Sequence, residues 1–259
     1  MRRRRKLYKC YNKKTHEREV MANIYTPKEE EEIFAPFSPI LGYKKMSPSF
    51  VDKLNDAMDE NMEDWSPNLV GKVSQELKFT KELEQDWAKE MGTFLMKYQS
   101  HAELYTSMGQ RNIQPDIFDY RIDVTSGWFV RQFENEYNPI HVHLGSYLSC
   151  VGYLKLPEGI DEEWEEDYKD HHPSNGHIQF VYGHAANHTG SNCLMKPQVG
   201  DFYVFPAHLH HCVYPFKTKG ERRSFSVNCT ISATYKDLGQ EAKSLAEQEK
   251  HMAGKKEDA

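Results

Sequence analysis

Two imidazoles two residues apart, His141 and His143, are the side chains in this sequence best spaced to hold a metal. Side chains on a β-strand alternate between faces, so positions i and i+2 look the same way and both rings can point at one ion. A third imidazole from a distant strand would close the site. The stretch Phe205-Pro206-Ala207-His208-Leu209-His210-His211 offers three. By alternation His208 and His210 face one way and His211 the other, so strand register decides which one joins. Imidazole suits Fe, Zn, Cu or Ni, and three ligands with open positions suit non-haem Fe(II) and O₂. The chain has 13 histidines, so clustering by chance has weight. His171, His172, His177, His184 and His188 fall in or beside expected loops and are individually weak candidates.

Downstream lies Gly220-Glu221-Arg222-Arg223-Ser224-Phe225-Ser226-Val227-Asn228. Two adjacent arginines on a strand point to opposite faces. One can enter the interior, and the other is then solvent-facing or paired, with Glu221 at hand. An inward arginine with no protein partner is costly, and a ligand carboxylate held by the guanidinium fork removes that cost. Ser224 shares the face of Arg222 and could donate to the same carboxylate. A metal with open positions beside a carboxylate-binding arginine points to redox chemistry with an organic-acid cosubstrate.

These residues need a sheet and something to support it. Ser47-Pro48 opens a helix, with serine as N-cap and proline in the first turn, and Phe50, Val51, Leu54, Ala57 and Met58 follow at helical spacing. A second helix is predicted from about Thr80 to Tyr98, with Leu83, Trp87, Met91, Phe94, Leu95 and Tyr98 as one apolar stripe for the core. From Ile117 the period changes to two. Phe118 to Val124, a turn at Thr125-Ser126-Gly127, and Trp128 to Glu134 read as a hairpin. Strands follow at the histidine pair, at Tyr147–Leu156, at Gly176–Tyr182, at Phe202–Phe205 and at Ser224–Ser232. Residues 185–196 read as a loop. Residues 158–175 are acidic and aromatic, and read as a surface insertion that could close over the site as a lid. Helices followed by many short strands predict an α+β fold, a β-sandwich or barrel with helices packed outside. The expected organisation is an N-terminal arm over 1–46, one domain over 47–235 with its β core at about 117–232, and a polar tail over 236–259.

The net charge of -6 argues against general nucleic-acid binding, and Arg2-Arg3-Arg4-Arg5-Lys6 reads as a solvated tail. No apolar run approaches a membrane span, and no apolar segment follows the basic start as in a secretory signal. The cysteines are 5 with no C-x-x-C spacing, the expected pattern of reduced thiols in an intracellular, cytoplasmic protein.

The order of these segments resembles the Fe(II)/2-oxoglutarate-dependent oxygenases, and within them the prolyl-hydroxylase-like branch and the small oxygenases of phages and marine bacteria. The resemblance rests on His141-Val142-His143 with Tyr147 to Leu154, on Gly200-Asp201-Phe202-Tyr203-Val204-Phe205-Pro206 to His211, and on Gly220 to Ser224. It covers roughly residues 117–232. It implies a double-stranded β-helix, or jelly roll, backed by helices. It implies Fe(II) held by His141 and His211, and 2-oxoglutarate held at its C5 carboxylate by Arg222, with Ser224 in the R-x-S pattern and Tyr153 as a second contact. It further implies oxidative decarboxylation of 2-oxoglutarate by O₂ to succinate and carbon dioxide, coupled to hydroxylation of a substrate. A protein or peptide residue such as proline is favoured; a small molecule is the other class.

One position departs from the family's H-x-D…H pattern. His143 stands where an aspartate is expected, so three neutral imidazoles would leave Fe(II) one charge more positive than two histidines and a carboxylate. Three-histidine sites also occur in cupin dioxygenases, which need no 2-oxoglutarate. The open readings are a working three-histidine centre, a site using only His141 and His211, and a non-catalytic protein that binds metal or 2-oxoglutarate. Glu134 and Glu136 are nearby acids without the expected spacing. The register is directly testable: His211→Ala should abolish iron binding measured by anaerobic titration, and His208→Ala should leave it intact.

Overall fold

The computed structural model describes residues 24–25, 29–34, 39–60, 63–107, 118–167, 169, 172–185 and 190–235. In chain order the elements are β1 (Ile24–Tyr25), β2 (Glu31–Phe34), β3 (Leu41–Lys45), α1 (Pro48–Asp59), β4 (Gln75–Lys78), α2 (Lys81–Ser107), β5 (Phe118–Gln132), β6 (Asn138–His141), β7 (Leu148–Lys155), α3 (Ile160–Asp167), β8 (Ile178–Val181), β9 (Asn192–Met195), β10 (Asp201–Pro206), β11 (His210–Val213) and β12 (Arg222–Tyr235). The strands form two mostly antiparallel sheets. One has 7 strands in the order β2-β3-β10-β7-β12-β5-β4, and the other has 5 in the order β1-β9-β8-β11-β6. This is the expected α+β jelly roll with its helices outside.

Period-two patterning splits the large sheet into two environments. Phe129, Cys150, Leu154, Phe202, Val204, Phe225, Val227 and Cys229 look outward to the helices. They meet Phe50, Val51, Leu54 and Met58 of α1 and the whole expected stripe of α2, from Leu83 to Tyr98. Each large apolar side chain so buried stabilises by about 1.5–3 kcal/mol. Alternate residues on the same strands look inward, and Tyr43, Val151, Tyr153, Tyr203 and Phe205 pack against Ile178, Phe180, Cys193 and Met195 of the small sheet. Gly152 marks where the outer layer leaves no room: a Cβ there would lie 2.3 Å from the Phe225 ring. Helix α1 starts as expected, with the Ser47 hydroxyl accepting from the Phe50 N–H at 3.4 Å.

Several expectations are corrected. The hairpin at Thr125-Ser126-Gly127 does not form. β5 is one strand of 15 residues, because β12 pairs with it along its whole length and absorbs the irregularity in a register shift between Asn228 and Cys229. Residues 192–195, expected in a loop, pair with β8. β4 was not anticipated and adds to the edge of β5. Helix α2 continues past Tyr98 to Ser107. The boundary at 46 cuts through the sheet, since β3 pairs with β10 and β2 with β3. The tail over 236–259 and the basic run at 2–6 lie outside the described residues. No described helix is long and apolar enough to cross a membrane.

The acidic insertion is anchored rather than loose. Ile160 and Trp164 of α3 are buried with Phe216, and the Glu163 carboxylate accepts from the backbone N–H groups of Lys217 and Thr218 at 2.6–3.0 Å. Asp167 does the same for Ser174 and Asn175, and the Trp164 indole donates to the Asn175 carbonyl at 2.7 Å. Polar residues that looked too hydrophilic to pack are satisfying the loop around them.

His177 sits against this anchor, 1% exposed, with Nδ1–H donating to the Asn175 carbonyl at 2.7 Å. Burial lowers its pKa to about 4, so it stays neutral in the fold while the unfolded chain protonates near 6.5. The folded pKa is the depressed one, so this stability is present above pH 6.5 and lost as pH falls toward 4. His177→Asn should therefore flatten the fall in stability between pH 6.5 and 4 by up to about 3 kcal/mol, read from urea midpoints.

Candidate active site

The three histidines meet at the open end of the small sheet. β11 pairs with β6 so that His211 stands directly opposite His141, with ring centroids 4.3 Å apart. His143 lies just beyond the end of β6 rather than on a strand, held by its N–H donating to the Ala207 carbonyl at 2.8 Å. Its ring centroid is 5.1 Å from each of the other two. One nitrogen from each ring lies within 4.8 Å of the others. His208 and His210 are exposed and outside the cluster. Glu136 is also elsewhere, its carboxylate taken by the Phe133 N–H and the Ser74 hydroxyl.

Local hydrogen bonds set which nitrogens converge. The Nδ1–H groups of His141 and His211 donate to the carbonyls two residues back, Pro139 at 2.7 Å and Leu209 at 2.8 Å. Each Nε2 is left as the nitrogen with the lone pair, the form a metal requires, and that of His211 lies 3.2 Å from His143 Nε2. Burial lowers the pKa of His141, that of His143 to about 4 and that of His211 to about 3, so all three are neutral at physiological pH. Asn228 completes the set: its amide lies 3.4 Å from His143 Nδ1 and also contacts the Ser126 hydroxyl at 3.3 Å. For His143 to offer Nε2, its Nδ1 must carry the proton, and Asn228 Oδ1 is buried with no other partner to accept it. A half-turn of the amide brings that oxygen to Nδ1. Three neutral nitrogens and an orphaned acceptor behind the third fit a metal.

The same cavity, about 310 Å³, reaches Arg222, Tyr153, Ser149 and Ser224. Arg222 is 2% exposed and donates only to neutral groups, the Gly176 carbonyl at 2.7 Å and the Gln132 side chain. Its Nε and the Tyr153 hydroxyl are buried without partners, and burial keeps Tyr153 a neutral phenol by raising its pKa to about 12. Ser224 pairs with Tyr153 across β12 and β7, so Arg222, Ser224 and Tyr153 share the inner face at one end. Two orphaned donors and a guanidinium with no counter-charge are a fit for a carboxylate. Arg223 turns the other way, clamped by Asp59 at 2.6 and 2.9 Å and by Glu221 at 2.9 Å. The described residues of the insertion at 158–175 are not among those that line the cavity.

Sequence reasoning missed four inward residues: Glu76, Gln132 as the partner of Arg222, Ser149 and Asn228. Nothing in the sequence gave their contacts. Asn228→Ala should weaken metal affinity by about 10–100-fold in a competition titration while leaving the fold intact.

Residues 126–228 match the model of a family described as "Putative 2OG-Fe(II) oxygenase". No curated protein matches the chain. Among solved structures, a 2OG-Fe(II) oxygenase-family oxidoreductase from Burkholderia pseudomallei shares 10% identity over 82% of this chain and 95% of its own, at a TM-score of 0.45. The viral collagen prolyl hydroxylase of Paramecium Bursaria Chlorella virus-1 shares 14% over 72% and 94%, at 0.42. HygX from Streptomyces hygroscopicus, solved with nickel, 2-oxoglutarate and hygromycin B, shares 11% over 73% and 82%, at 0.45. Residues 126–228, which carry the three histidines and Arg222, are thus the stretch of this chain that is similar to the 2OG-Fe(II) oxygenases.

Proposed function

We propose that the chain is an Fe(II)- and 2-oxoglutarate-dependent dioxygenase that hydroxylates a residue of a protein or peptide and releases succinate and carbon dioxide. The single observation that carries the reading is the shared cavity. It has three convergent imidazoles at one end, and at the other an arginine buried against neutral partners only. Bound Fe(II) supplies the activation of O₂ that couples decarboxylation of 2-oxoglutarate to oxidation of the substrate.

The protein's own part is positioning. His141, His143 and His211 present neutral nitrogens from one side, leaving the other side for cosubstrate and O₂. Arg222 takes the C5 carboxylate, and Tyr153 and Ser224 donate to it. Val130, Val151, Ile178 and Phe205 line the walls between and exclude water. Leu144 and Val70, 87% and 57% exposed, stand at the rim, an apolar entrance suited to a peptide. The cupin-type reading, with no 2-oxoglutarate, leaves Arg222 buried with neutral partners only.

Anaerobic addition of Fe(II) and then 2-oxoglutarate should produce a visible metal-to-ligand charge-transfer band, and air should then yield succinate. Arg222→Ala should raise the KM for 2-oxoglutarate about 30-fold or more, the loss of roughly 2 kcal/mol of charged hydrogen bonding. An unchanged KM removes the cosubstrate assignment. A band without succinate, even with substrate candidates present, favours a binding protein.

A further inference from the structure

The cavity is lined by two charged side chains among the described residues, Arg222 and Glu76. The oxygenase reading uses the first and leaves the second without a role. Glu76 sits on β4, 2% exposed, and pairs with Val130 so that it shares the inner face of the sheet. Its neighbour Leu77 points the other way, into the helix-backed core. The backbone around it is clamped: the Glu76 N–H donates to the Ser66 hydroxyl at 2.9 Å, and the Trp65 N–H donates to the Glu76 carbonyl at 2.7 Å.

The carboxylate itself has no ion-pair or hydrogen-bond partner among the described residues. Lys78, Arg131 and Arg222 are each engaged elsewhere. Lys78, on the same face of β4, reaches Glu63 at 3.3 Å and lies 4.4 Å over the Trp65 ring. Arg131 is held by Glu221 and Gln75, and Arg222 by Gly176 and Gln132. Glu76 is not part of the metal-facing cluster, which comprises the three histidines alone. Burial raises its pKa to about 7, and the nearby charge of Asp64 adds to the effect. A buried structural acid is normally paired, because an isolated carboxylate in an apolar site costs several kcal/mol. An unpaired one aimed into a cavity is a recognition group in want of its ligand. The same cavity is lined by Trp65, Leu69, Val70 and Trp128 as well, apolar surfaces that suit an alkyl arm ending in a cation.

We propose that Glu76 is the specificity-determining residue of this oxygenase, and that the substrate presents a cationic nitrogen to it. This inference rests on the oxygenase reading of the cavity and names the substrate class for it. Arg222 receives the anionic cosubstrate, and Glu76 receives the cationic end of the molecule to be oxidised. In a peptide that end is a lysine or arginine side chain; in a small molecule it is a free amine.

The test uses the full chain with Fe(II) and 2-oxoglutarate, without oxygen, and two pairs of probes matched in shape. N-acetyl-lysine methylamide is compared with N-acetyl-norleucine methylamide, and hexylamine with hexan-1-ol. Binding is read by calorimetry and by the change in the charge-transfer band. The cationic member of at least one pair should bind about tenfold tighter or more, and Glu76→Gln should reduce that preference to below about twofold. Preference in the lysine pair identifies a peptide side chain, and preference in the hexylamine pair alone identifies a small amine. Equal binding within both pairs, no binding of any probe at about 10 mM, or a preference that survives Glu76→Gln would overturn the assignment. The 2-oxoglutarate titration is the internal control, since it depends on Arg222 and not on Glu76. If 2-oxoglutarate does not bind, the oxygenase reading fails, and the same probes with metal alone still decide the role of Glu76.

Discussion

A guanidinium buried to within 2% of full enclosure, with no carboxylate against it, is the constraint from which this architecture follows. Holding Arg222 there costs several kcal/mol that the rest of the fold must offset. The offset comes from the other face of the same strand. Phe225, Val227 and Cys229 of β12 are fully buried against the helices, and Arg223 is clamped to Asp59 and Glu221. One strand thus carries a polar, ligand-facing row and an anchoring row, and the second fixes the height and rotation of the first. β5 and β7 flank it in register and contribute Gln132, Ser149 and Tyr153 to the same row.

The small sheet solves a different problem. Its histidines must converge without protein charges to hold them, and they do so through backbone carbonyls two residues earlier in the chain. This device is local and cheap to encode, because it needs only the strand ends at Pro139 and Leu209 to be fixed. Cross-strand pairing of His211 with His141 then supplies the distance. His143 is different, since it lies past the strand end and depends on Ala207 for its backbone and Asn228 for its ring. A histidine where the resemblance leads one to expect an aspartate therefore comes with its own neighbour. Neutral imidazole needs its Nδ1 proton accepted, whereas a carboxylate would not.

The elements that the sequence misrepresented share a cause. The hairpin at Gly127 looked convincing because Thr-Ser-Gly is good turn chemistry. It lost to the long antiparallel pairing with β12, an interaction between residues about a hundred positions apart. β9 and β4 are short, and their strand character comes from a neighbour's unpaired edge rather than from their own composition. The insertion at 158–175 read as a surface insertion that could close as a lid, because it is acidic and too polar for core. In the fold Glu163 and Asp167 cap backbone N–H groups, and Trp164 pins the segment beside Gly176, behind Arg222.

By itself the sequence determined the helix start at Ser47, the apolar stripe of α2, the two-sided alternation of the core strands, and the set of side chains able to do chemistry. These are encoded by local periodicity, which is a property of neighbouring residues. Only the tertiary structure decided the rest. Alternation left His208, His210 and His211 open and the family resemblance implied His211; the pairing of β11 with β6 is what sets His211 opposite His141. The fold turned Arg222 inward and left it unpaired, because burial is set by what the opposite sheet covers. It also placed Glu76, an ordinary residue in an unremarked stretch, on the lining of the same cavity as the histidines, because β4 pairs with the distant strand β5 and Glu76 stands opposite Val130.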